Sequence, residues 1–248
     1  MMVRYVIVPL LLLLGVVGSA WATSPAEAFA EANVAYDASE YEVAITLYEQ
    51  LLREGFIAPE IYYNLANSRF RQGDYGQAIL NLKRAQQLRP RDRDIQHNLY
   101  FILNEADAVY HVPPFWSRVF LRQLTQQEWK GIAVASWWIL ALFGGLQIVR
   151  FRNRVWLAPV AVSAIILLIA LAGWWQWWSL GQRPEVVVIE PGQDALFAPL
   201  PGSTAHFALP KGSVPRVDSV SDGWYRVRIG ERDGWIRQSA VEPVRLVQ

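Results

Sequence analysis

Apolar residues are spaced along the chain in three different ways, and each spacing predicts a different kind of element. Between residues 24 and 110 they recur at helical spacing and also at a longer fixed offset. Tyr41 and Ala44 return as Tyr75 and Ala78, Phe29 and Asn33 as Tyr63 and Asn67, and Asn64-Leu65 as Asn98-Leu99. The offset is 34 residues each time, the length of a helix-turn-helix unit that buries its apolar face only by stacking on its neighbours. Two later stretches, residues 131–149 and 155–178, are apolar on every side and long enough to cross a bilayer as helices. From Pro184 the period changes to two, in short runs broken by Gly and Pro. The runs are Val186-Val187-Val188-Ile189, Ala195-Leu196-Phe197, residues 214–217, residues 224–229 and Gly234-Trp235-Ile236. They predict a small all-β barrel of about five strands.

Within the first region, Tyr62-Tyr63-Asn64-Leu65-Ala66-Asn67, Gly73-Asp74-Tyr75, Ala78-Ile79 and Leu88-Arg89-Pro90 resemble a complete tetratricopeptide repeat. Gly73-Asp74 forms the turn, Ala66, Ala78 and Ala85 are small where helices cross closely, and Pro90 stops the second helix. The first repeat, residues 24–58, has Ser39-Glu40 at the turn and keeps Ala32, Tyr41 and Ala44; the second covers 59–92 and a partial third 93–110. A solenoid needs about three repeats. The chain after Asp107 is therefore expected to contribute a capping helix or to lean on something else. Residues 113–128 open at Pro113-Pro114-Phe115-Trp116 and put Phe115, Trp116, Val119, Phe120 and Leu124 on one side, with Arg118 and Arg122 largely opposite. That pattern fits either a helix in the headgroup layer or the missing cap.

The resemblance implies that the first helix of each repeat lines a concave partner-binding groove formed by Phe29, Asn33, Tyr36, Tyr63, Asn67, Phe70, His97 and Phe101. Amides there offer both donors and acceptors to an extended peptide. The same aromatics serve equally well as packing between repeats. Asn33 and Asn64 match the amide half of carboxylate-capturing repeats, but Phe29, Asp94 and Asn98 stand where cations belong, so capture of a chain terminus is not expected.

Residues 1–22 read as a secretory signal peptide, with Arg4, an apolar run over 6–17 and Ala20-Trp21-Ala22 as the cleavage site; an uncleaved anchor is the alternative. Arg150, Arg152 and Arg154 fill the loop between the two spans and place it on the cytoplasmic side. The repeats and the tail are then both periplasmic, anchored in a bacterial inner membrane. Tryptophans are expected near the span ends, where indoles favour the interface. Neither run holds an ionisable residue, which argues against transport or proton relay.

Hydrophobic residues make up 53% of the chain, the apolar excess that two spans and a signal peptide require, and there is no cysteine for a disulfide or thiolate site. A net charge of +1 gives no reason to expect nucleic acid as a partner. His97, on the inner helix of a repeat, and His111 and His206, in loops, are too scattered to be metal ligands, and the carboxylates of Asp92, Asp94 and Asp107 form no catalytic pair. No cofactor and no enzymatic activity are expected.

In the tail, residues 184–248, the runs Leu209-Pro210-Lys211-Gly212, Asp222-Gly223-Trp224-Tyr225-Arg226-Val227 and Gly234-Trp235-Ile236 resemble a bacterial SH3-type domain. Trp224, Tyr225 and Trp235 then either line a groove for cell-wall peptides or fill the domain's core. Taken in order, signal peptide, repeats, two spans and SH3-type tail resemble the BatE-like proteins of bacterial aerotolerance (Bat) operons. That resemblance implies an inner-membrane subunit acting with von Willebrand factor A-type membrane proteins, a BatD-like protein and a MoxR-type ATPase in envelope maintenance or oxidative-stress tolerance. The expected fold is multidomain: an all-α tetratricopeptide solenoid, a two-helix transmembrane hairpin and a small all-β SH3-like barrel. The expected role is a non-enzymatic scaffold, or alternatively a peptidoglycan-binding anchor or sensor acting through the tail.

Overall fold

A computed structural model describes residues 24–111, 124–149, 157–182 and 185–246. The signal-peptide segment, the bulk of residues 113–128 and the arginine loop lie outside the described residues. Five helices build the solenoid: α1 (Pro25–Asp37), α2 (Tyr41–Arg53), α3 (Pro59–Arg71), α4 (Tyr75–Leu88) and α5 (Arg93–Glu105). Their starts follow from local chemistry. Ser24 and Glu27 form a reciprocal capping box on α1, Asp74 accepts the Gln77 N–H on α4, and Asp92 accepts two N–H groups on α5. The two intra-repeat turns place Ser39 and Gly73, one repeat apart, at φ 64° and 78°. Glycine adopts that left-handed region freely and serine under strain, so the first repeat departs from its neighbour at a physically costly position. Ala32, Ala44, Ala66, Ala78 and Ala85 are fully buried where helices cross, and Tyr48, Tyr62, Leu51, Ile79 and Leu82 fill the space between.

Helices α6 (Gln126–Val149) and α7 (Leu157–Gln182) pack antiparallel and are long and apolar enough to cross a membrane. Trp129 lies across Gly173, where an added Cβ would come within 2.4 Å of the indole. Trp137 and Trp138 stand at the middle of α6, both largely exposed, rather than near its end as the sequence led one to expect. Trp174 and Trp175 lie in the last third of α7, level with the start of α6.

The tail has seven strands: β1 (Val186–Val188), β2 (Gln193–Leu196), β3 (Ala205–Leu209), β4 (Arg216–Ser221), β5 (Trp224–Ile229), β6 (Arg232–Arg237) and β7 (Val241–Pro243). Five form an antiparallel sheet in the order β3-β2-β6-β5-β4, and β1 pairs separately with β7. The architecture is SH3-like, but the two sheets do not close into the barrel expected from the strand count. Asp222 and Gly223, both at positive φ, make the two-residue turn between β4 and β5 that such a hairpin requires. At Gly234 a Cβ would sit 2.8 Å from the Ala195 Cβ, so only glycine lets β2 cross β6 there.

The tail is docked on α4. Val187, Val214 and Val244 belong to the repeat core, whereas Val186 and Val188, on the other face of the same strand, belong to the tail core. After α5 no further described helix completes the third repeat. Instead residues 108–111 run beside Val214: Val214 N–H donates to the Val109 carbonyl at 2.8 Å and His111 N–H to the Val214 carbonyl at 3.0 Å. Gly212, at φ 90°, fits against Ile79, Ala106 and Ala108. The solenoid therefore does lean on another part of the protein, and the tail domain supplies the cover that a solenoid end needs.

Candidate partner-binding groove and tail surface

Along α1, α3 and α5 the asparagines form a repeated clasp. Asn64 Nδ2 donates to Asn33 Oδ1 at 2.8 Å, and one repeat later Asn98 Nδ2 donates to Asn67 Oδ1 at 3.2 Å and to the Tyr63 hydroxyl at 2.9 Å. Asn33 Oδ1 also accepts the Tyr48 hydroxyl at 2.6 Å. These four amides thus tie each repeat to the next. Among the described residues, the Nδ2 groups of Asn33 and Asn67 make no further hydrogen bond, and these part-exposed side chains retain donors for a ligand.

The aromatic residues expected in the groove fall into two groups. Phe29, Tyr36, Tyr63 and Phe70 are half-buried against the repeat core: Phe29 packs on Tyr48, Tyr36 meets Tyr41 edge-on, and Phe70 lies between Tyr75 and Phe101. Arg71 hydrogen-bonds Tyr36, which raises the guanidinium further above its ordinary value. Phe101, 50% exposed, and His97, also exposed, present themselves to solvent on α5. Asp94 and Asn98 occupy the same helix and add no cation.

Burial pushes the Tyr48 phenol up to about 12 from 10.0, because the ionised form would lose its water at a fully enclosed site. A folded-state value above the unfolded one means that the neutral phenol stabilises the fold below pH 10.0 and that this stability is lost as pH rises toward 12. The expected loss is about 2–3 kcal/mol. Unfolding measured across that range checks it: Tyr48→Phe should weaken the protein by about 1 kcal/mol at neutral pH and remove most of the alkaline step. A step of unchanged size in the variant would assign it to another group.

In the tail, Trp224 is 8% exposed at the start of β5, with the Arg237 guanidinium 5.5 Å from its ring centroid. Tyr225 packs on the tail core, and Trp235, half-buried, pairs with Leu196 and Arg226 across the sheet. Trp224 and Tyr225, neighbours on one strand, point to opposite faces of the sheet, and the register puts Trp235 on the face of Trp224. A different surface stands out. Phe197, 61% exposed, stacks on His206 with centroids 4.2 Å apart and planes at 25°, and Phe207 meets His206 edge-on. His206 lies in β3, not in a loop, and its Nδ1 is 2.9 Å from the Asp233 carbonyl. Beside it, Arg226 donates twice to Asp233, holding that carboxyl below the usual carboxylate range. The alternation of Ala205, His206 and Phe207 was the available signal, and it is weak in so short a strand.

Between α2, α3, α4 and β7 lies a polar cleft of about 470 Å³ lined by Glu49, Arg53, Arg69, Asp74, Arg84 and Glu242 among others. Its charges neutralise one another: Arg69 pairs with Glu49, Arg84 with Glu242, and Asp74 with Lys211. No nucleophile and base face each other there.

Residues 29–93 match the family model of the tetratricopeptide repeat, and residues 195–243 match that of the bacterial SH3 domain. No curated protein matches the chain. In fold and in these matches the chain combines a helical repeat region with an SH3-like domain, each similar to domains that bind proteins or the cell wall.

Proposed function

We propose that the protein is a non-enzymatic, membrane-anchored scaffold whose repeat groove holds an extended segment of a partner protein. The observation that carries this reading is the repeated asparagine clasp, with unmatched Nδ2 donors on Asn33 and Asn67, together with the half-exposed ring of Phe101 on α5. Neighbouring helices pack about 8–10 Å apart, and an extended peptide advances about 3.3 Å per residue. Equivalent donors one repeat apart would then meet peptide groups about three residues apart. The groove residues are Phe29, Asn33, Tyr36, Tyr63, Asn67, Phe70, His97 and Phe101, of which His97 and Phe101 are the exposed ones.

The repeats and the tail touch each other, so they lie on one side of any membrane that α6 and α7 cross. The sequence features argue that this side is the periplasm of a bacterial inner membrane. By resemblance to the BatE-like proteins, the partners are von Willebrand factor A-type and BatD-like membrane proteins of a Bat-type complex serving envelope or oxidative-stress tolerance.

Phe101→Asp tests the groove. Purified full-length protein in detergent is used to capture a tiled array of peptides from the extracytoplasmic segments of those two protein types. The wild type should retain discrete extended peptides, and the variant should bind them at least about tenfold more weakly, since a half-exposed aromatic anchor contributes about 1–2 kcal/mol. Equal retention by both proteins would move the site elsewhere.

A second reading is favoured by the exposed Phe197–His206 stack, which gives the tail a platform suited to cell-wall glycan or peptide. Retention of the full-length protein on purified sacculi, lost in Phe197→Asp, would support it.

A further inference from the structure

We infer that docking of the tail sets the shape of the repeat groove, so that the docked state is the binding-competent one and release of the tail loosens the groove's last helix. The regulation inferred rests on the groove reading above.

Helix α5 carries Asn98 and Phe101, half of the second clasp and the most open aromatic ring. In an ordinary solenoid such a helix would be held between the preceding repeat and its own second helix. Here it packs on α4 and, through Asn98 and Phe101, on α3, and instead of a following helix the residues just after it run beside the tail. Ala106, its C-cap, and Ala108 just beyond meet Gly212, and Val109 and His111 are hydrogen-bonded to Ser213 and Val214. Tyr110, in the same strap, packs edge-on against Tyr100 of α5. Four side chains of α4 hold the far end of the same tail: Gln77 and Arg84 bond Glu242, Lys83 bonds Glu185 at 3.0 Å, and Gln87 bonds the Val244 carbonyl. If the tail lifts from α4, the strap loses its partners and α5 is left with α3 and α4 alone.

Coupling of this kind is reciprocal. Occupation of the groove favours the docked tail, and anything that binds the tail only when it is free weakens the groove.

The test reads α5 directly and needs no ligand. Hydrogen exchange is followed on the full-length protein in detergent, as wild type, as Lys83→Glu with Arg84→Glu, and as that variant carrying Glu185→Lys and Glu242→Arg. Lys83 and Arg84 bond Glu185, Glu242 and the Arg245 carbonyl, none of them in α5 or the strap, and the quadruple variant keeps the altered α4 positions while restoring opposite charges. The reversed pair should expose β1 and β7 to exchange and speed exchange in α5 by about tenfold or more, while α1 and α2 keep their protection. The quadruple variant should return α5 toward the wild type. Should the reversed pair fail to fold, Arg84→Ala gives the same comparison at smaller amplitude. Unchanged protection in α5 while β1 and β7 open would overturn the inference. Acceleration of α5 together with unchanged peptide capture by Phe101→Asp would keep the coupling and discard the groove reading.

Discussion

Gly212→Val should cost the repeat–tail unit about 2–5 kcal/mol, whereas Gly192→Val, at an equally unusual backbone angle, should cost only about 1–2. Both glycines have positive φ, 90° and 68°, where a β-branched side chain is strained by roughly 1–2 kcal/mol. They differ in surroundings. A Cβ at Gly192 meets nothing within 4 Å, but one at Gly212 would lie 2.6 Å from Ile79 Cδ1, with Ala106 and Ala108 close behind. Overpacking a tight core contact adds roughly another 1–3 kcal/mol. The wedge falls between the repeats and the tail, so relief comes by separating them. Thermal unfolding of both variants, with limited proteolysis of the residues between α5 and α6 as a reporter of release, separates strain from contact. Equal losses in the two variants would mean that the Gly212 contact contributes nothing to docking.

Much of this fold was legible because its requirements recur. A helix crossing that admits only a methyl group puts Ala32 and Ala66 one repeat apart, and again Ala44 and Ala78. The clasp needs an amide on each side, hence Asn33 with Asn67 and Asn64 with Asn98. The long apolar helices were legible from composition. The start of α6 at Gln126 was less so, because its capping box of Thr125 and Glu128 lies in a polar flank that hydropathy ignores. The tail's hairpin between β4 and β5 is fixed by Asp222-Gly223.

That the repeats need a cover was legible, but the surfaces that dock were not. Val186-Val187-Val188 resembles part of a period-two strand, yet all three residues are completely buried, the outer two in one core and the middle one in another. An unbroken apolar run is what burial on both faces produces. Its counterpart on α4 is a stripe of Asp74, Gln77, Arg84 and Gln87 at helical spacing, which from sequence reads as an ordinary solvated face. In the groove, the sequence proposes positions but not allocation. Phe70 and Phe101 are equivalent as letters, and only the structure shows one wedged between two rings and the other half open.

Arg84→Glu should destabilise docking by about 3–5 kcal/mol. The Arg84 side chain is 11% exposed; its guanidinium reaches the Glu242 carboxylate at 2.7 Å and the Arg245 carbonyl at 2.9 Å. Reversal puts two carboxylates together beside the largely buried Arg84 position and removes the donor of the Arg245 carbonyl, so the loss approaches that of a disrupted buried pair. Arg84→Met should cost less, about 1–2 kcal/mol, because Glu242 is 35% exposed on its side chain and partly recovers water. Glu242→Arg in the Arg84→Glu background should recover about half of the loss. It restores opposite charges, but it cannot rebuild the bond to the Arg245 carbonyl, and it removes the acceptor of Gln77. Chemical unfolding of the wild type, Arg84→Glu, Glu242→Arg and the double variant closes the cycle. Additive losses, with no recovery in the double variant, would show that the pair is an incidental surface contact. The docking would then rest on Val187, Val214 and Val244 and on the remaining contacts of Lys83, Gln87, Lys211 and the strap.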